Sequence, residues 1–285
     1  MKDTPDGIIK RYPLFMFFVL AFAITWLILS PGILANLGLL EFNFDGTVLT
    51  ILGGLGPLLA VIIVRSAAES SSSIKKIFQG AINWRVNIKW WGAAVLILVV
   101  LFGISALLNG LMGGPAPDLE QGVFLNGGNL IWVIALLLLG SFGEEPGWRG
   151  FALPKLQERW KPFKATLVLT LFWWLWHIPT YWTLPFAMNA REQYGFLAAF
   201  GIQFVVLLAL GILCAWVFNG SGRSVLMPVL LHASWNFWSG AFGQDAATFL
   251  MPLFLLTATI VAIATRGKLG LPVVYQTLKG DQELK

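Results

Sequence analysis

Charge is scarce in this chain: Asp, Glu, Lys and Arg make up 12% of its 285 residues, against 57% hydrophobic. That excludes a water-soluble globule, which could not hide so much apolar side chain. Cysteine is reduced to one residue, Cys214, inside an apolar stretch, so no intrachain disulfide can form and the residue reads as a small core side chain. The basic residues are spread over five loops and form no patch suited to nucleic acid. His-Glu-x-x-His, Gly-x-Ser-x-Gly and a pair of intramembrane aspartates are all missing, and with them the usual signatures of metallo-, serine and aspartyl hydrolases. There is no internal repeat of the kind that builds the inverted halves of a secondary transporter.

What is present is a succession of apolar stretches near 13–37, 47–66, 90–112, 128–145, 165–186, 196–218, 224–242 and 246–265. Each approaches the roughly 20 residues that a helix needs to cross ~30 Å of hydrocarbon. The expectation is an all-α, polytopic membrane helix bundle of about eight transmembrane helices, with 1–285 a single integral membrane domain. Lys10 and Arg11 precede the first stretch as in a signal peptide, but its apolar run reaches Leu29 and no small-residue cleavage site follows, so it reads as a permanent helix. With the N-terminus inside, eighteen of the nineteen Lys and Arg residues fall in inside segments and only Arg191 falls outside, while Glu41, Asp45, Asp118, Glu120, Glu192 and Asp245 occupy outer loops. Basic residues near span ends stay cytoplasmic, so both termini are expected in the cytoplasm, the membrane being the cell membrane.

Three connecting regions carry local signals. The loop 67–89 opens with Ala67, Ala68, Glu69 and the Ser70–Ser73 run and reads as a flexible polar connector. Gly53, Gly54, Gly56 and Pro57 mark a close helix approach or a kink. Segment 146–164 interleaves Trp148, Phe151, Leu153, Leu156, Trp160 and Phe163 with Lys155, Arg159, Lys161 and Lys164. That composition predicts a short interfacial helix starting near Pro154.

Ionisable groups inside spans are costly and therefore tend to face a cavity or a partner. They are few: Glu144 and Glu145 at the inner end of the fourth stretch, His177 in the fifth and His232 in the seventh, with the Asn236 amide one turn further. The protein's two histidines are both intramembrane. His232 and Asn236 are four apart and share a helix face; Glu145 and Arg149 have the spacing of an ion pair, although Pro146-Gly147 between them argues against a regular helix. Neighbouring positions diverge by about 100 degrees, so Glu144 and Glu145 have separate tasks, one facing the cavity and one pairing with Arg149. Convergence requires the fourth helix to end inside the bundle at a wet cavity open to the cytoplasm. Trp173 and Trp148 are the candidate contacts for a substrate side chain in an otherwise packing-type aromatic set.

The sequence resembles the CAAX proteases and bacteriocin-processing enzymes, the CPBP or Abi family of intramembrane proteases. Its first motif, two glutamates followed four residues later by arginine, is met by Glu144-Glu145-Pro146-Gly147-Trp148-Arg149 and runs on into Gly150-Phe151-Ala152-Leu153-Pro154. The second, an aromatic residue, usually Phe, four before His, is met by Trp173 and His177; the third, His then Asn or Asp four later, by His232 and Asn236. The resemblance implies a catalytic core over 128–242 and hydrolysis of a peptide bond in a membrane-associated peptide, prenylated CAAX-type or leader-type. It casts Glu144 as the base that activates water and His177 as its positioner, His232 and Asn236 as oxyanion donors, and Glu145 with Arg149 as support. Cofactor use stays open between a metal-free glutamate peptidase and a divalent metal such as zinc on Glu144, His177 and His232. The partners implied are a membrane-associated peptide or protein substrate and the lipid bilayer. The competing reading is a non-proteolytic peptide binder, such as a bacteriocin self-immunity factor.

Overall fold

Every described residue that takes regular structure is helical, as expected of a chain whose backbone must satisfy its own hydrogen bonds in lipid. The computed structural model describes residues 5–41, 46–68, 72–114, 130–242 and 249–271. Positions 128–129 and 246–248 of two predicted spans lie outside these residues, as do Lys2, Asp45, Glu69, Ser70, Asp118, Glu120, Asp245, Lys279 and Lys285 of the loops. The helices are α1 (Pro5–Arg11), α2 (Pro13–Asn36), α3 (Gly46–Gly54), α4 (Gly56–Ala68), α5 (Ser72–Ala81), α6 (Ile88–Leu111), α7 (Leu130–Gly147), α8 (Leu153–Gln157), α9 (Pro162–Trp176), α10 (Pro185–Tyr194), α11 (Phe196–Gly220), α12 (Leu226–Phe242) and α13 (Leu250–Ala264). The chain is a polytopic membrane helix bundle.

Each of the eight apolar stretches contains a helix, but they are unequal. Pro13–Asn36, Val48–Ala68, Ile88–Leu111 and Phe196–Gly220 are long and apolar enough to cross a membrane by themselves. The predicted fifth span, 165–186, is not one helix: α9 stops at Trp176 and a 3₁₀ turn, Ile178–Trp182, follows. Pro179 is the reason, since it has no N–H for the carbonyl of Leu175 and its ring crowds that carbonyl. The carbonyls freed at this break find other donors. His177 Nδ1 reaches Trp173 O at 2.7 Å, Trp26 Nε1 reaches Trp176 O at 3.1 Å, and Thr180 N and Oγ1 reach His177 O at 3.0 and 2.7 Å. A broken helix within lipid is tolerable on that condition.

The glycine cluster acts as both break and docking surface. The chain interrupts its helix at Leu55, Thr25 Oγ1 donates to Gly53 O at 2.7 Å, and a Cβ on Gly56 would run into Thr25 Oγ1. On the other side, a Cβ on Gly143 or Gly147 would lie 2.7 Å from the carbonyl oxygen of Gly54 or Pro57. Helix α7 is thus seated on the α3–α4 joint by two glycines that bracket Glu144 and Glu145. Helix α11 forms the centre of the bundle, buried almost continuously from Ala209 to Asn219, with Cys214 a buried core residue.

Two sequence expectations are corrected. Part of the 67–89 connector is helix α5, whose Ile77 is buried against the core, because an apolar face offers more than a solvated coil would. In the segment 146–164, Trp148, Phe151, Leu153 and Leu156 are buried members of the core instead of a surface anchor, and α8 is a single short turn and a half from Leu153. Helicity there is continuous: α7 passes through Pro146 into a π-helical segment, Trp148–Ala152, and on into α8, so the fourth helix does not end at the glutamates.

The loops segregate to two ends. At one, Val225 N donates to Gly80 O, Ser224 Oγ to Asn83 O and Phe163 N to Gly267 O, and Arg65 lies over the Phe151 ring. At the other, Asn36 meets Met188, and Thr50 Oγ1 lies 3.3 Å from Thr183 Oγ1. The first end gathers the segments that the charge count placed together.

Candidate active site

The site grows from three helices that bring costly side chains to one depth. Helix α7 carries Glu144 and Glu145, 8% and 0% exposed, held in place by the flanking glycines; α9 carries Trp173 and is capped at its C-terminus by His177; α12 carries His232 and Asn236. A carboxylate buried in this way needs partners, and each glutamate has found different ones.

Glu144 accepts the indole N–H of Trp173 at 2.7 Å on Oε2. Glu145 accepts two donors on Oε1: Arg149 Nη1 at 2.8 Å, the ion pair expected from spacing, and His232 Nδ1 at 3.0 Å. The pair with Arg149 forms despite Pro146 because the backbone stays helical there; Pro near a carbonyl costs a hydrogen bond but does not move the side chains off one face. Arg149 is 1% exposed and lays its guanidinium over the Trp173 ring, 4.2 Å from the centroid. Such stacking suits arginine, whose flat, weakly hydrated head can bind a carboxylate at its edge and an indole at its face.

Trp173 therefore touches four polar groups of the site: Glu144 through its N–H, Arg149 through its face, His232 edge-on with ring centroids 5.3 Å apart, and His177 through its backbone carbonyl. Trp173 and Trp148 are both 0% exposed, Trp148 being packed among Phe17, Phe18 and Trp176. The donor role of Trp173 and the bond between Glu145 and His232 are the features that spacing did not reveal. The four-residue step from Trp173 to His177 puts them on one helix face but leaves the direction of the indole N–H open.

The hydrogen bonds fix the tautomers. A carbonyl oxygen only accepts, so His177 must donate from Nδ1, and a neutral ring then presents the Nε2 lone pair. His232 donates from Nδ1 to the Glu145 carboxylate in the same way. Asn236 lies one turn along α12, half-buried, with its backbone carbonyl accepting from Ser239 Oγ. Among the described residues, Glu145 Oε2 and Arg149 Nε are buried without a protein partner.

Zinc asks for three or four donors about 2.0–2.3 Å from one centre. Among the described residues no group of three or more His, Cys, Asp or Glu side chains is arranged to hold a metal ion. Both imidazoles bond through Nδ1, to Trp173 O and to Glu145 Oε1, and Glu144 takes the indole N–H on Oε2.

Residues 126–238, which contain all of these side chains, match the family model described as type II CAAX prenyl endopeptidase Rce1-like. Across most of its length the chain is similar to CAAX prenyl protease 2 of Methanococcus maripaludis, 25% identical over 256 residues that cover 86% of this chain and 92% of that protein. Both likenesses bear out the resemblance that the three motifs carry.

Proposed function

We propose that this integral membrane protein is an endopeptidase of the CPBP family that hydrolyses a peptide bond in a membrane-associated substrate of the prenylated CAAX or leader type, using water activated by Glu144. The observation that carries this reading is the different treatment of two adjacent buried glutamates. Glu145 is neutralised by a guanidinium and an imidazole, whereas Glu144 receives one neutral N–H on Oε2. A carboxylate whose Oε1 is outside that bond is suited to take a proton from water.

In this mechanism water sits between Glu144 Oε1 and the Nε2 lone pair of His177. Glu144 removes its proton as the oxygen attacks the scissile carbonyl, and the same carboxyl returns a proton to the leaving amine. His232 and Asn236 face the oxyanion. His232 can donate from Nε2 only when both ring nitrogens carry protons, and the Glu145 carboxylate on Nδ1 is the counter-charge that such a ring needs. Trp173 and Arg149 position the carboxylates and are not catalytic. The core is 128–242, and the gathered basic loops face the cytoplasm of the cell membrane together with both termini and the mouth of the site.

The test is an assay of purified protein in liposomes on a farnesylated CAAX-type peptide and a leader-type peptide, with products identified by mass spectrometry. Cleavage that disappears in Glu144→Ala, with unchanged elution and melting, supports the mechanism; cleavage that persists in that variant rules Glu144 out. Tight binding of peptide with no cleavage by the wild type identifies the non-proteolytic binder instead. Treatment with EDTA followed by zinc is the companion test: the mechanism as written expects no loss, and loss restored by zinc assigns a metal.

A further inference from the structure

A second recess lies away from the glutamates, in the outer face formed by α9, α11 and α13. It is a groove of about 460 Å³ lined by Phe163 and Leu167, by Leu208 and Ile212, by α13 from Leu255 to Ile263 and by the turn at Arg266 and Gly267. The site described above uses α7, α9 and α12, so the groove does not open onto Glu144 and cannot deliver a peptide to it. Apart from Thr259 and Arg266 its side chains are apolar.

Three features say what fills it. The α13 wall from Leu255 to Ile263 is about 12 Å long at ~1.5 Å per residue, and the turn at Arg266 continues it toward half of a ~30 Å hydrocarbon core, one leaflet deep. The groove ends at a cationic rim: Arg266 lines it, Lys268 is exposed just beyond, and Lys164 lies 5.4 Å above the Trp160 ring. Among the described residues none of the three is in an ion pair with a carboxylate. Finally, Arg266 is held at φ 51°, in the left-handed region where glycine or asparagine is the easier choice, and the turn it makes is tied to α9 by the bond from Phe163 N to Gly267 O. An arginine kept at such a position points to a use for its side chain.

We propose that this groove is a binding site for an anionic phospholipid, with an acyl chain lying along α13 and the headgroup phosphate on Arg266, Lys268 and Lys164. The fit is that of a basic and aromatic rim against an anionic headgroup, with an apolar slot below it for the chain.

Native mass spectrometry of the purified, full-length protein with equal amounts of phosphatidylglycerol and phosphatidylcholine tests this. The wild type should retain phosphatidylglycerol with a preference of roughly tenfold, the scale of one or two basic side chains at a charged surface. Arg266→Asn tolerates the same backbone and should keep a bound lipid while losing most of the preference. Ala262→Trp should lose both lipids, and Thr259→Trp, whose parent side chain is exposed, serves if the first fails to fold. Equal retention of the two lipids by the wild type, or full preference in Arg266→Asn, overturns the proposal. Displacement of the lipid by a farnesyl-cysteine methyl ester in the wild type also overturns it, making the groove a seat for a prenyl chain.

Discussion

The joint of α2, α3 and α4 and the trio of α7, α9 and α12 are both tight helix interfaces, built by opposite means. The first is made by missing side chains: Gly53 admits Leu29, Gly56 admits Thr25, and Gly143 and Gly147 of α7 admit the backbone of Gly54 and Pro57. The second is made by side chains that lipid penalises, each tied to another: Glu144 to Trp173, Glu145 to Arg149 and His232. Small residues decide how near two backbones come, and the polar network decides which rotamer and which proton each side chain keeps. The two meet at Gly143 and Gly147, so the apolar joint sets where the glutamates stand.

Four substitutions can break or sharpen this contrast. Glu144→Gln is expected to lower peptide cleavage by about 10²–10⁴-fold, the range of a general base, with the thermal midpoint unchanged; liposome assays on the model peptides measure it. Arg149→Met removes the cation beneath Trp173 and leaves the Glu145 carboxylate buried with His232 alone. A loss of about 3–5 kcal/mol in unfolding free energy follows, read by denaturant unfolding in detergent, and an unchanged stability would show the network to be dispensable. Trp173→Phe keeps a ring under Arg149 but removes the donor to Glu144. It should reduce kcat about 10- to 100-fold, the worth of one hydrogen bond to a charged group, with little change in KM. Gly147→Ala tests the apolar side of the contrast, since its Cβ would lie 2.7 Å from Pro57 O. About 1–3 kcal/mol of destabilisation is expected from overpacking, together with a proportionate loss of activity; if melting is unchanged, the joint does not set the glutamates.

Much of this was legible beforehand because a membrane makes exceptions conspicuous. Glu144, Glu145, His177 and His232 stand out in apolar runs, and the four-residue steps of Glu145 to Arg149 and His232 to Asn236 lie within single helices, where spacing dictates geometry. What was missed lies between helices or against local expectation. Trp173 and Glu144 are 29 residues apart and His232 and Glu145 are 87 apart, so no local period could pair them. Pro146-Gly147 argues against a regular helix, and the chain stays helical through it but widens into the π-helical Trp148–Ala152, while Pro179 ends α9 and shortens the fifth span.

By itself, the sequence determined that this chain is a helical membrane bundle with a handful of expensive polar groups in its C-terminal half, because the hydrocarbon core punishes charge and exposed backbone wherever they occur. Only the tertiary structure decided which partner each of those groups received, that Trp148 and Trp173 are buried, and that one glutamate is neutralised while its neighbour takes a single neutral N–H. Those outcomes depend on how α7, α9 and α12 rotate and rise against one another, and that is set by glycine contacts and ring packing distributed over the whole bundle.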